Sequence, residues 1–215
     1  MTWNAVLFDL DGTLADTVPL ILASARHAMA EIRGDPELGE GWREYIGRPL
    51  SDTIRDFARD DDEGERLRAS YAAYQSEAHD RMVRPFPGAL EVVGELERRG
   101  VPLGIVTSKG RTMAARTLEV CGLATVFPVI ITADDVIRGK PDPEPVHRAL
   151  EALSAPAAAE VLLVGDSPHD IEAGRGAGVR TVGVTWGAFS RDRVVAARPD
   201  HLIETMSQLL ELAPG

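Results

Sequence analysis

The chain is short of cysteine, lysine and long apolar runs, and each shortage narrows what it can be. One cysteine, Cys121, allows no disulfide within the chain, which suits a reducing compartment. It falls in a helix-like stretch and reads as a small buried apolar residue. No apolar run approaches the ~18 residues of a membrane span. The opening MTWNAVLFDL lacks the basic region and cleavage site of a secretory signal. Low-complexity tracts are missing too, and with 44% hydrophobic and 27% charged residues over 215 positions the chain can bury a real core. Cations are outnumbered: the formal net charge of −11 argues against nucleic acid or an anionic membrane as partner. A cytoplasmic monomer or homodimer acting on a small molecule is expected. Of the 23 basic side chains only two are lysines, Lys109 and Lys140, and both follow apolar runs.

What is present is a regular alternation. Apolar runs recur at AVLF (5–8), VPLGIVT (101–107), FPVIIT (127–132), VLLVG (161–165) and VRTVGVT (179–185). Helical patterns lie between them at 88–99, 111–121, 144–153 and 168–177. Buried strands alternating with helices predict an α/β fold, a Rossmann-like parallel sheet with helices on both faces. The interval after the first strand is too long for one crossover, so an inserted domain is expected there. Residues 15–84 read as helical: Val18, Ile21, Leu22, Ala25 and Met29 keep helical spacing. So do Leu50, Ile54 and Phe57, and again Leu67, Tyr71, Tyr74, Ala78 and Met82. The expected division is a core of 1–14 and 85–215 and a helical cap of 15–84, re-entered at PFPG (85–88). The charge run 55–68 reads as a solvated corner between helices.

Open parallel sheets bind ligands beyond the carboxyl ends of their strands. The first run ends in Asp9 and Asp11, followed by Gly12. The second ends in Thr107 and Ser108, then Lys109; the third in Asp134 and Asp135, then Lys140; the fourth in Asp166, Ser167 and Asp170. Asp9, Asp11, Asp166 and Asp170 cannot all be ionised in a half-buried site without a cation. An all-oxygen set without histidine or cysteine suits Mg²⁺, which keeps several waters and binds few carboxylates plus a phosphate. Lys140 then offers a point charge to a phosphate oxygen, and Thr107, Ser108 and the backbone near Gly12 offer hydrogen bonds. Plainer roles are expected for the rest. Asp16 and Thr17 read as a helix start, Ser167 and His169 as a helix opening and Asp142 as a helix cap. Asp134 and Asp135 read as solvated loop residues, and Lys109 as a rim residue.

The segments DLDGTLADT, VTSKG, GKPDP and GDSPHDIEAGRGAG, in this order and strand context, resemble the four motifs of the haloacid dehalogenase superfamily. The likeness is to its phosphatase branch with an α-helical cap, of the phosphoglycolate phosphatase kind. That resemblance implies a small phosphorylated metabolite as partner. It implies Asp9 as the nucleophile that becomes an aspartyl-phosphate and Asp11 as the acid, then base, that serves the leaving oxygen and the water. Thr107 and Lys140 would bind phosphoryl oxygens. Asp9, the Asp11 backbone carbonyl and Asp166 would hold Mg²⁺, with Asp170 beside or behind them.

Departures from other branches sharpen the likeness. Dehalogenases lack an acid at the place of Asp11. The phosphonoacetaldehyde branch needs a cap lysine, and this cap has none. Sugar phosphomutases carry a histidine twelve residues past the nucleophile, where this chain has Ile21, with His27 further along. A phosphatase is the favoured reading, with a pyrophosphatase or a sugar phosphomutase of the same superfamily as alternatives, and YIGRPL (45–50) resembles a specificity loop in which Arg48 grips a carboxylate or second phosphate. A receiver domain holding a phosphoaspartate is the non-enzymatic alternative. The cap and Asp11 speak against it.

Overall fold

The structure, a computed structural model, describes residues 3–154 and 158–212. Residues 1–2, 155–157 and 213–215 of the expected core lie outside the described residues. Strand β1 (Ala5–Phe8) is buried along its length. Its side chains alternate between two apolar layers: Val6 and Phe8 join one, Ala5 and Leu7 the other. A strand apolar on both faces must lie inside a sheet covered on both sides.

After β1 the chain forms a short strand β2 (Ala15–Asp16), then helices α1 (Val18–Arg33), α2 (Leu50–Phe57) and α3 (Asp61–Met82), and strand β3 (Arg84–Pro85). From there helix and strand alternate: α4 (Ala89–Arg98), β4 (Leu103–Val106), α5 (Arg111–Val120), β5 (Val129–Ile131), α6 (Glu144–Ala152), β6 (Val161–Gly165), α7 (Pro168–Ala177), β7 (Arg180–Val184), α8 (Arg191–Ala196) and β8 (His201–Ile203). The six-stranded sheet runs β5-β4-β1-β6-β7-β8, every pair parallel. Strand β1 is flanked by β4 and β6, where the winding changes direction. The crevice at its carboxyl end is the ligand position of such sheets. Five strands match the apolar runs of the sequence. The sixth, β8, is three residues long and too short for alternation to reveal.

The helical insertion has its own apolar cluster, formed by Ala25, Ala28, Met29, Trp42, Ile54, Leu67 and Tyr71. Trp42 enters it from a 3-10 stretch over Pro36–Tyr45 that the spacing of apolar residues did not reveal. The charge run is not wholly solvated. Asp60 caps α3 through the Glu63 N–H at 2.8 Å. Glu63 itself is buried, receiving Arg33 Nη2 at 2.8 Å and the Arg59 N–H at 2.7 Å.

The two crossings between sheet and insertion are paired. Ala15 faces Pro85 and Asp16 faces Arg84 in an antiparallel ribbon. The last turns of α3 are also tied to α5. His79 Nε2 lies 2.9 Å from Thr117 Oγ1, and Arg116 donates to Asp80 Oδ1 and to the Ser76 carbonyl, each at 2.9 Å. Among the described residues no helix is long and apolar enough to cross a membrane.

Candidate active site

Chain geometry forces the loop after β1 to turn sharply. Gly12 has φ +87°, and a Cβ there would sit 2.4 Å from an Asp166 carboxylate oxygen. Glycine is therefore needed both for the left-handed turn and for the close approach of Asp166. The turn leaves Asp9 buried at the end of β1, its N–H donated to the Val164 carbonyl of β6 at 2.8 Å.

Lys140 reaches this point from the loop before α6, with 1% of its surface exposed. Its ammonium donates to Asp9 Oδ1 at 2.6 Å, Asp170 Oδ1 at 2.5 Å and the Val106 carbonyl at 3.1 Å. All three ammonium protons thus have acceptors. Asp166 follows β6 and receives the Ala188 N–H at 2.6 Å. Asp170 is in the first turn of α7, which Ser167 opens. Their reciprocal capping box takes the second Asp170 oxygen, with Ser167 Oγ at 2.6 Å. Asp9, Asp166 and Asp170 each present an oxygen within 4.8 Å of the others.

Three buried carboxylates and one ammonium leave negative charge in excess, and the acidities register it. Burial, with the Asp170 and Asp11 charges, pushes Asp9 up to about 7 against the pull of Lys140. Asp166 is raised well above the carboxylate range by burial and by the charges of Asp9 and Asp170. Burial alone would lower Lys140, but Asp170 and Asp9 hold it above the ordinary lysine value.

Asp11 stands apart from this cluster. Lys109 Nζ lies 2.7 Å from both of its oxygens, and Thr17 Oγ1 donates to Oδ1 at 2.7 Å. Two expectations change here. Lys109, read as a rim residue, is drawn inward until its side chain is only 7% exposed. Thr17 does open α1, but its hydroxyl serves Asp11 and makes no cap bond. Asp16 takes part in the ribbon with Arg84, and burial raises its carboxyl. Asp134 is exposed, in keeping with a solvated loop residue, and accepts the Arg111 N–H at 2.8 Å, while the half-buried Asp135 closes a box with Thr132. Asp142 accepts the Glu144 N–H at 2.9 Å, but from one residue before the N-cap position of α6, which Pro143 occupies. Cys121 is buried, and its thiol is pushed up to about 11 by that burial.

Thr107, buried at the end of β4, accepts the Lys109 N–H at 3.1 Å. Ser108 Oγ donates to the Gly47 carbonyl at 2.6 Å, tying the core loop to the insertion. Gly47, at φ +95°, brings its backbone against Ser167, where a Cβ would meet Oγ at 2.8 Å. Next to it Arg48 lies 5.0 Å over the Tyr45 ring and pairs with Asp56 at 2.9 Å. A cavity of about 260 Å³ connects these groups. Asp9, Asp11, Thr107 and Lys109 line its floor, and Arg48 and Tyr71 are in its roof.

Lys109 had a sequence signal, its rarity and its place two residues past Thr107. The Ala188 N–H had none, because a backbone donor carries no residue signature.

A doubly wound parallel sheet, a carboxylate cluster at its carboxyl edge and a helical insertion over the opening define a capped α/β protein with an acidic site beneath its cap. Residues 6–184 match the family model of the haloacid dehalogenase-like hydrolases, and the chain belongs to that family, in its phosphatase branch. It is 38% identical over 209 residues to pyrophosphatase PpaX of Bacillus velezensis, covering 97% of this chain and 95% of that one. It is 38% identical over 212 residues to pyrophosphatase PpaX of Bacillus cereus, covering 99% and 97%. Among solved structures, a hydrolase from Pseudomonas syringae superposes with TM-score 0.85 at 28% identity, covering 98% of this chain and 99% of that one. A predicted phosphoglycolate phosphatase from Haemophilus somnus shares the fold with TM-score 0.88 at 23% identity, covering 98% of each chain.

Proposed function

We propose that the protein is a Mg²⁺-dependent phosphatase that hydrolyses a small phosphomonoester bearing a second anionic group, of the phosphoglycolate type, through an aspartyl-phosphate on Asp9. The observation that carries this reading is the meeting of Asp9 with the buried Asp166, Asp170 and Lys140 directly beneath a cavity that Asp9 lines together with Asp11 and Thr107.

The donor set fits a hard divalent cation: converging carboxylate oxygens, no histidine or cysteine among them, and excess negative charge that one lysine does not balance. Asp9, Asp166 and the Asp11 backbone carbonyl would hold it, with Asp170 behind them, committed to Lys140 and Ser167. When bound, Mg²⁺ supplies positive charge that keeps Asp9 ionised and draws charge from the phosphoryl oxygens.

The chain's residues do the rest. An Asp9 oxygen attacks phosphorus, the bond to the leaving oxygen breaks, and that oxygen takes a proton from Asp11. Asp11 then takes a proton from water, whose oxygen attacks the same phosphorus. The bond to Asp9 breaks and its electron pair returns to the carboxylate. Thr107 donates to a phosphoryl oxygen, and Lys140 holds Asp9 in place. Arg48, in the cavity lining and paired with Asp56, is the candidate to meet the second anionic group. Pyrophosphate is the second reading, favoured by the name of the two relatives at 38% identity.

The test is phosphate release from phosphoglycolate, pyrophosphate and neutral-bodied phosphoesters, with and without Mg²⁺, for the parent and Asp9→Asn. Mg²⁺-dependent release that falls by about a thousandfold or more in the variant is expected. A folded, Mg²⁺-binding parent that releases nothing, or that accumulates a stable phosphoaspartate, overturns the reading.

A further inference from the structure

We propose that the loop 186–189, between β7 and α8, couples the cap to the cation site: by packing on Ala188 and Phe189, the cap positions the backbone N–H that orients Asp166. The inference rests on the reading of Asp166 as a ligand of the divalent cation.

Each residue of the loop faces a different part of the molecule. Trp186 donates its Nε1–H to the Thr13 carbonyl at 3.1 Å, in the turn that follows Asp11. Gly187 lies flush on Asp166, where a Cβ would sit 2.2 Å from Oδ2. Ala188 gives its N–H to that same oxygen at 2.6 Å, and its carbonyl accepts from the cap's Arg43 Nη1 at 3.5 Å. Phe189 is buried, and with Ala188 it joins one apolar cluster with Val18, Leu22 and Ile46 of the cap.

A backbone donor cannot be tuned by its own side chain. Its place is set by what holds the chain on either side of it. Here one anchor is on the core, at Thr13, and the other is on the cap. The N–H holds one carboxylate oxygen by a charge-assisted bond and so fixes the rotation of Asp166. Outer partners of this kind commonly set metal affinity by about 10–100-fold. When the cap parts from the core to admit substrate, Phe189 loses its cover and the N–H its fixed place. Asp166 is therefore fully oriented only beneath a seated cap. Linkage makes the effect mutual: a cation bound at Asp166 favours the seated cap by the same factor.

Leucine truncations in the cap test this. Leu22 and Leu67 are both buried, but Leu67 belongs to the cap's own cluster and Leu22 to the cluster at the loop. In calorimetric titration with MgCl2, Leu22→Ala should weaken Mg²⁺ binding by about fivefold or more. Leu67→Ala should leave the affinity at the parent value, and Leu22→Met, which refills the site, should restore it. Should Leu22→Ala not fold, Val18→Ala cuts the same cluster less deeply and should act in the same direction. In hydrogen exchange, Mg²⁺ should slow the amides of 43–47 together with those of 186–189 in the parent, and only the latter in Leu22→Ala. Equal Mg²⁺ affinity in the parent and Leu22→Ala, equal weakening by both truncations, or slowing confined to 186–189 in the parent would each overturn the proposal. A parent that binds no Mg²⁺ would instead overturn the cation reading, and this inference with it.

Discussion

Lys140 concentrates the electrostatics of the site on one nitrogen. It faces two carboxylates at 2.5–2.6 Å with almost no water around it. Removing one partner from a buried set strands the others, which is costlier than never building the set. Lys140→Met should therefore destabilise the metal-free fold by about 3–5 kcal/mol. Adding Asp170→Asn should recover much of that loss, since an asparagine still accepts from Ser167. Urea unfolding of the single and double variants reads both numbers, and an unaltered midpoint in Lys140→Met would refute the argument.

Elements are held by similar devices on a smaller scale. Helix α3 begins on the Asp60 cap, and its first turn is locked to the end of α1 by the Arg33–Glu63 pair. The Arg33 hydrogen bonds, followed by the Arg59 N–H, hold Glu63 down to about 2 against an ordinary value of 4.5. The carboxyl is thus more acidic folded than unfolded. Its contribution is complete above about pH 4.5 and is lost as the pH falls toward 2. Glu63→Gln should destabilise by about 1.5–3 kcal/mol at pH 7. The gap between parent and variant should close across that acid window, as denaturant titrations at several pH values would show. At its other end α3 is fastened to α5 through His79, Asp80 and Ser76. A cap that opens must therefore flex before Ser76 or break these bonds, and cannot simply swing at residues 82–87.

For the whole molecule, folding brings the carboxylates of two distant segments, Asp9 and the pair Asp166 and Asp170, to one point, where a cation can bind the native chain and not the unfolded one. Binding at a hundred times Kd stabilises by about 2.7 kcal/mol. For a chain of this size that is a rise in Tm of about 5–10 °C. Mg²⁺ added to chelator-treated protein should produce it, whereas KCl at equal ionic strength should not. Asp166→Asn should abolish the shift. A Tm indifferent to Mg²⁺ would remove the cation from the site.

By itself the sequence determined the sheet, the insertion and the main acids, because each leaves a local mark. Apolar runs of four or five residues fix buried strands, helical spacing fixes the insertion, and a carboxylate directly after a buried strand has few structural uses. Tertiary structure alone decided how those groups are employed. That Lys109 turns inward to Asp11, that Thr17 serves Asp11 instead of its helix, and that Glu63 in a charge run is buried are all choices among partners distant in sequence. The strand β8 and the Ala188 N–H on Asp166 are of the same kind. A long polar side chain can reach many acceptors. Which one it takes depends on the distances that folding creates, and no single residue type encodes them.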